Sequence, residues 1–236
     1  LPLMKQYRQV HYVERKPHAM RESVGRIIET LRSVRKQKKI FLFLIAFFFF
    51  IDGVYTIIDM ATAYGSALGL DSTGLLLALL VTQFVAFPFS ILFGRLAEKY
   101  DTGKLILTCI AAYTGITVFA VFMKAQWQFW VLAIFVGMFQ GGIQALSRSY
   151  FAKIVPPERS GEYFGLMDIC GKGASFMGTT VVGLASQAFG SINIGISAIV
   201  FLFLAGALFF MKTEHSGSES MKNQENVIME QQMFHD

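Results

Sequence analysis

The sequence predicts an all-α polytopic membrane protein of six transmembrane helices. Three observations carry that expectation. Of the 236 residues, 54% are apolar, only 16% are charged and 24 are phenylalanine, whereas a soluble domain carries about 25% charge. The mean hydropathy of +0.50 agrees. The charge is also segregated, since 11 of the 21 Lys and Arg fall within residues 1–40. Together these exclude a globular cytosolic enzyme, a disulfide-rich secreted domain and a disordered chain.

Residues 1–39 read as a basic cytoplasmic segment. Val24, Ile27, Ile28 and Leu31 recur at helical spacing, so 19–39 can form a basic amphipathic helix. Such a helix lies on a lipid surface or meets a partner; the plainer reading is a linker made basic by topology and by anionic lipid. The chain opens on this basic stretch and not on a signal peptide. Leu1 in place of methionine predicts a fragment of a longer chain.

A spanning helix needs about 20 mainly apolar residues. Six stretches qualify, at about 40–64, 73–94, 104–123, 127–150, 163–187 and 191–211. Turn and helix-start residues separate them, as in Gly69-Leu70-Asp71-Ser72. Residues 212–236, rich in Ser, Gln, Asn and Glu, form a polar tail expected to be disordered. Charge bias orients the set: 19 Lys and Arg fall on the side of the two termini and only Lys124 on the other, with Lys172 inside a helix. The positive-inside rule therefore places both termini in the cytoplasm. Short loops without targeting segments favour a bacterial inner membrane.

Ionisable groups within a span are costly, and each is a functional hypothesis. The first helix carries Asp52 and Asp59, seven residues apart on one face, with Tyr55 and Thr56 between them. Asp59 falls near the outer interface, where water reaches it. Asp52 falls near mid-bilayer, which points to a cavity or ion-path role in preference to a structural pairing; it is the expected proton-sensitive group. In the second helix Pro88 predicts a kink. The third is nearly bare of polar groups at mid-depth.

The fourth helix presents Gln140, Gln144, Ser147 and Arg148 as a stripe. The two glutamines either line a cavity or bridge to a neighbour, while Arg148 falls at the cytoplasmic end, where snorkelling would satisfy it. The fifth carries Asp168, Lys172, Ser175 and Thr179 on one face. Asp168 precedes Lys172 by four residues, the favourable order for an intrahelical ion pair. The sharper alternative is a triad in which Lys172 alternates between Asp168 and Asp52. Gly137 and Gly141 form a GxxxG pair, and Gly165, Gly171, Gly173, Gly178 and Gly183 leave the fifth helix smooth, so neighbours can approach and slide. Cys109 and Cys170 lie in apolar segments without ligand partners. Neither a metal site nor a cofactor is expected.

The connection Gly94-Arg95-Leu96-Ala97-Glu98-Lys99-Tyr100-Asp101-Thr102-Gly103-Lys104 resembles the signature loop of the major facilitator superfamily, roughly G-x-L-a-D-r-x-G-r-k. Glu98 replaces the usual aspartate and Asp101 stands where a glycine is usual. Pro156-Pro157-Glu158-Arg159-Ser160-Gly161 is similar to the P-x-x-R-G turn of the same superfamily, with a serine inserted. Phe50-Ile51-Asp52-Gly53-Val54, Gln83-Phe84-Val85-Ala86-Phe87-Pro88, Gly141-Gly142-Ile143-Gln144-Ala145-Leu146-Ser147-Arg148-Ser149 and Asp168-Ile169-Cys170-Gly171-Lys172 resemble the carboxy-terminal half of one branch. That branch holds the autophagy-linked vacuolar amino-acid effluxers of fungi and their bacterial relatives.

The resemblance, over about residues 40–211, implies one half of a major facilitator fold, with residues 1–39 as the central loop. It implies a secondary active transporter that exports amino acids or similar small metabolites by alternating access about a midplane site. The substrate and proton pathway would run past Asp52, Tyr55, Thr56, Gln83, Gln140, Gln144, Asp168 and Lys172. Gly94, Glu98 and Lys99, with Arg148 and Arg159, would form a cytoplasmic gate. The partners implied are a small solute, protons, the bilayer, and either the amino-terminal six-helix half of the same chain or a second copy; nucleic acid is not among them. The competing function is a non-transporting sensor or scaffold on a degenerate transporter fold. An intramembrane aspartyl protease needs aspartates on facing helices, and an ATP-driven pump needs a phosphate loop that the sequence lacks.

Overall fold

The computed structural model describes residues 29–233, with side chains through 216. Six long helices run through them: α1 (Lys38–Ala67), α2 (Ser72–Lys99), α3 (Thr102–Val121), α4 (Gln126–Ile154), α5 (Ser160–Phe189) and α6 (Ile192–Met233). A short helical stretch over 29–36 precedes α1, and the 3-10 turn Pro157–Arg159 leads into α5.

Local chemistry sets the boundaries. Past the end of α1 the chain turns at Gly69, whose φ of 74° suits glycine. Leu70 N–H then reaches Gly65 O at 3.1 Å and Gly69 N–H reaches Ser66 O at 3.0 Å, the paired bonds of a Schellman ending. Asp71 caps α2 by accepting from Gly74 N–H at 2.7 Å, and Asp101 caps α3 by accepting from Lys104 N–H at 3.0 Å. The acid that departs from the superfamily loop therefore starts the next helix. At α4 the Gln128 side chain turns back to accept from the N–H groups of Lys124 and Ala125.

Five of these helices are long and apolar enough to cross a membrane: α1 to α4 and the Ile192–Ser216 part of α6. α5, the fifth of the six long helices, stands apart from these five by composition. Its 30 residues suffice in length, but Asp168, Lys172, Ser175, Thr179 and Thr180 lower its apolarity. Over the polar tail the α6 backbone is helical through Met233; Glu, Gln and Met, frequent there, are good helix formers. Pro88 lies inside α2, which continues unbroken to Lys99. Of the amphipathic head, Val24, Ile27 and Ile28 lie outside the described residues. Leu31 is exposed, whereas Thr30 and Val34 are buried.

α1 packs on α5 and α6, α6 also on α3, and α4 on α2 and α3. α2 and α5 thus flank the bundle, the first held by α4 and the second by α1 and α6. Aromatic rings fill the core toward its basic end: Phe43 stacks on Tyr150 at 5.1 Å and on Phe151 at 5.4 Å. α2 leaves Leu76, Leu80, Phe84 and Phe87 exposed.

Candidate functional site

The polar residues of α1, α4 and α5 meet on one side of the bundle. Arg148 Nη2 donates to Asp168 Oδ1 at 2.8 Å, linking α4 to α5, and about half of each side chain is exposed. Ser175 Oγ donates to Asp59 Oδ2 at 3.0 Å, linking α5 to α1. Tyr55 of α1 sits among them, with its hydroxyl in the field of Arg148, Asp168 and Asp59. Gln140 and Gln144 are half-buried on α4, and Gln140 Oε1 is buried without a hydrogen-bond partner. Lys172 is exposed on α5 and makes no ion pair among the described residues.

Asp168 makes its ion pair with Arg148 and not with Lys172. The Arg148 guanidinium reaches the Asp168 carboxylate across the bundle through one nitrogen, Nη2. Arg148 is accordingly tied into the site. Gln83 is exposed on α2 and makes no hydrogen bond to these groups. Ser147 is buried and donates to Ile143 O at 2.6 Å within its own helix, so it leaves the stripe.

Asp52 and Thr56 lie behind this face, both with no exposed surface. Asp52 Oδ1 accepts from Gly178 N–H at 2.8 Å and from the Thr56 hydroxyl at 3.5 Å. Sequence spacing put Asp52 and Asp59 on one face of α1. The structure separates them, because the α5 backbone crosses at Gly178 and seals Asp52, whereas Asp59 takes only a serine hydroxyl from the same helix. A Cβ on Gly178 would collide with Thr56 Oγ1 and lie 2.6 Å from Asp52 Oδ1. Gly178 is thus a site residue that appeared in the sequence only as one of several glycines.

Of the expected gate residues, Gly94, Glu98 and Lys99 are exposed at the end of α2. No hydrogen bond or ion pair joins them to Arg148 or Arg159 among the described residues. Arg159 instead donates from Nε and Nη2 to Glu162 Oε2 at 3.0 and 2.7 Å, and this carboxylate raises the guanidinium pKa, holding Arg159 charged. Thr30 donates to the same oxygen at 3.0 Å. Beside it Gln37 Nε2 donates to the Tyr163 hydroxyl at 3.1 Å. Arg159, Glu162 and Tyr163 therefore fasten the segment before α1 to the first turn of α5, a clasp that no sequence spacing announced. A second clasp joins α4 to α6 through Tyr150 and Glu214.

Residues 3–222 match the family model described as "Vacuole effluxer Atg22 like". The chain belongs to this family. A Bacillus subtilis (strain 168) relative named "Uncharacterized MFS-type transporter YxiO" is 41% identical over 228 residues, covering 97% of this chain and 53% of that protein. "Autophagy-related protein 22-2" of Aspergillus clavatus is 27% identical over 78% of this chain and 32% of its own length. "Autophagy-related protein 22" of Saccharomyces cerevisiae (strain YJM789) is 29% identical over 68% and 33%. The chain thus spans about half the length of its bacterial relative and about a third of the fungal ones. The apolar helices and the transporter relatives make it an integral, multi-pass membrane protein.

Proposed function

We propose that this Atg22-like chain is one half of a secondary active transporter that exports amino acids or similar small metabolites by alternating access. The observation that carries the reading is the half-exposed Arg148–Asp168 pair, set beside Tyr55, Asp59 and Lys172, which makes no ion pair among the described residues. Charges of both signs are untenable against lipid but suit a water-filled cavity closed by a second half. They also match a zwitterion, whose carboxylate would meet Arg148 or Lys172 and whose ammonium would meet Asp168 or Asp59. The family model's description as an effluxer supports this direction.

The second half is either the remainder of a longer chain or another copy of this one. The charge bias supports the basic end, with Gly94, Glu98 and Lys99, as the cytoplasmic gate of a bacterial inner-membrane protein. The test is exchange of labelled amino acids in proteoliposomes holding the full-length native protein. Arg148→Gln should slow exchange by about 10- to 100-fold, from ~1.5–3 kcal/mol for a hydrogen bond to a charged group. Exchange at the wild-type rate in that variant would remove Arg148 and Asp168 from the solute site.

A further inference from the structure

Asp52 is the described side chain whose surroundings fit its charge least. It lies about 21 Å along α1 from Lys38 and has no exposed surface. Gly178 N–H and the Thr56 hydroxyl both serve Oδ1. Oδ2 is buried and has no hydrogen-bond partner. Among the described residues no charged side chain compensates it. Tyr55 and Asp59 on α1, Arg148 on α4, and Asp168 and Lys172 on α5 neither hydrogen-bond nor ion-pair with it. α6 brings a phenyl ring, Phe203, against the neighbouring Gly53, and α3 brings Tyr113 stacked on that ring. The charged groups of α2, α3 and α6 lie at the basic ends of those helices.

An unpaired carboxylate in such a place is far costlier than a neutral carboxyl with one idle hydroxyl. We propose that Asp52 is an occluded proton carrier, protonated while α5 seats Gly178 on it and deprotonated when α5 lifts from α1. In that step the carboxyl O–H bond breaks, its electron pair stays on Oδ2, and the proton passes to water entering between the helices. α5 is the element suited to open the contact. Three residues from Gly178, Ser175 holds Asp59, and two turns further back Asp168 reaches Arg148. A solute that rearranges the exposed charges therefore pulls on the helix that seals the buried one. The inference rests on the transport reading for its coupling to solute, but not for the proton itself.

Two measurements on the full-length protein separate the two. In infrared difference spectra recorded on a pH jump, a protonated-carboxyl band should be present in the wild type and absent in Asp52→Asn. That variant keeps the shape and an acceptor for Gly178 N–H. Thr56→Val should shift this band without abolishing it, since it removes one hydrogen bond and leaves the carboxyl. In proteoliposomes, Asp52→Asn should lose solute accumulation driven by a pH gradient and retain exchange without one. A band that survives in Asp52→Asn, or a variant that still accumulates solute against its gradient, overturns the proposal. Failure of the wild type to exchange any amino acid would instead overturn the transport reading, and the infrared band would still decide the proton.

Discussion

The α2–α4 and α1–α5 contacts join helices of similar length by opposite means. At α2–α4 the helices meet closely at glycines. A Cβ on Gly137 would lie 2.6 Å from Thr82 O, and one on Gly141 would lie 2.9 Å from Ala86 O. Thr82 Oγ1 adds a hydrogen bond to Ala133 O at 3.2 Å. At α1–α5 two carboxylates take part in the contact, through Gly178 N–H on Asp52 and Ser175 on Asp59. Backbone packed on backbone is lost outright when such a pair separates, because dispersion has no substitute at a gap. Polar contacts can be exchanged for water at little net cost. The difference assigns the two pairs unlike parts: α2–α4 is built to stay, and α1–α5 is built to part.

The most direct way to break this contrast is to fill a glycine on each side. Gly137→Leu should give the largest loss of stability, at the upper end of the ~1–3 kcal/mol typical of overpacking or beyond, because the obstacle is a carbonyl fixed in α2. Gly178→Ala meets side-chain atoms of Thr56 and Asp52, which can rotate, so its loss should stay within about 1–3 kcal/mol. Unfolding in mixed detergent micelles ranks the two. A Gly178→Ala loss equal to that of Gly137→Leu would mean that α1–α5 is as rigid as α2–α4.

How far the sequence foretold this division depends on what each feature needs. Hydropathy and turn residues located every helix, since burial in lipid acts on each segment separately; only the polar α5 misses the apolar standard. The GxxxG pair of α4 was legible because both glycines lie on one face of one helix. Partner choice was not legible. Whether Asp168 meets Lys172 or Arg148 depends on how α4 and α5 rotate about their axes, and spacing within α5 is silent on that. The separation of Asp52 from Asp59 fails for the same reason, since a heptad places both on one stripe and only the crossing point of α5 decides which is sealed.

Thr82→Val sharpens the contrast at smaller scale. It removes the side-chain bond to Ala133 O while conserving volume, and hydrogen bonds between membrane helices average about 0.6 kcal/mol. A loss of that size leaves glycine packing as the main tie between α2 and α4. A loss of several times that size would show that α2–α4 also depends on polar contacts, and the contrast would blur.

The smallest effect on stability should come from the Arg148–Asp168 pair, and it is the most telling for function. With about half of each side chain exposed, the pair is worth only about 0–1 kcal/mol to folding. The reversed pair, Arg148→Asp with Asp168→Arg, should therefore unfold within about 1 kcal/mol of the wild type. If the pair merely staples α4 to α5, the reversed version restores that staple and exchange returns with it. If the two charges read a zwitterion, the reversed version presents each charge from the wrong helix, and exchange stays low although the fold is intact. The proposed function requires the second outcome. Recovery of wild-type exchange in the reversed pair would move α4–α5 to the structural side of the comparison and leave Tyr55, Asp59 and Lys172 to recognise the solute.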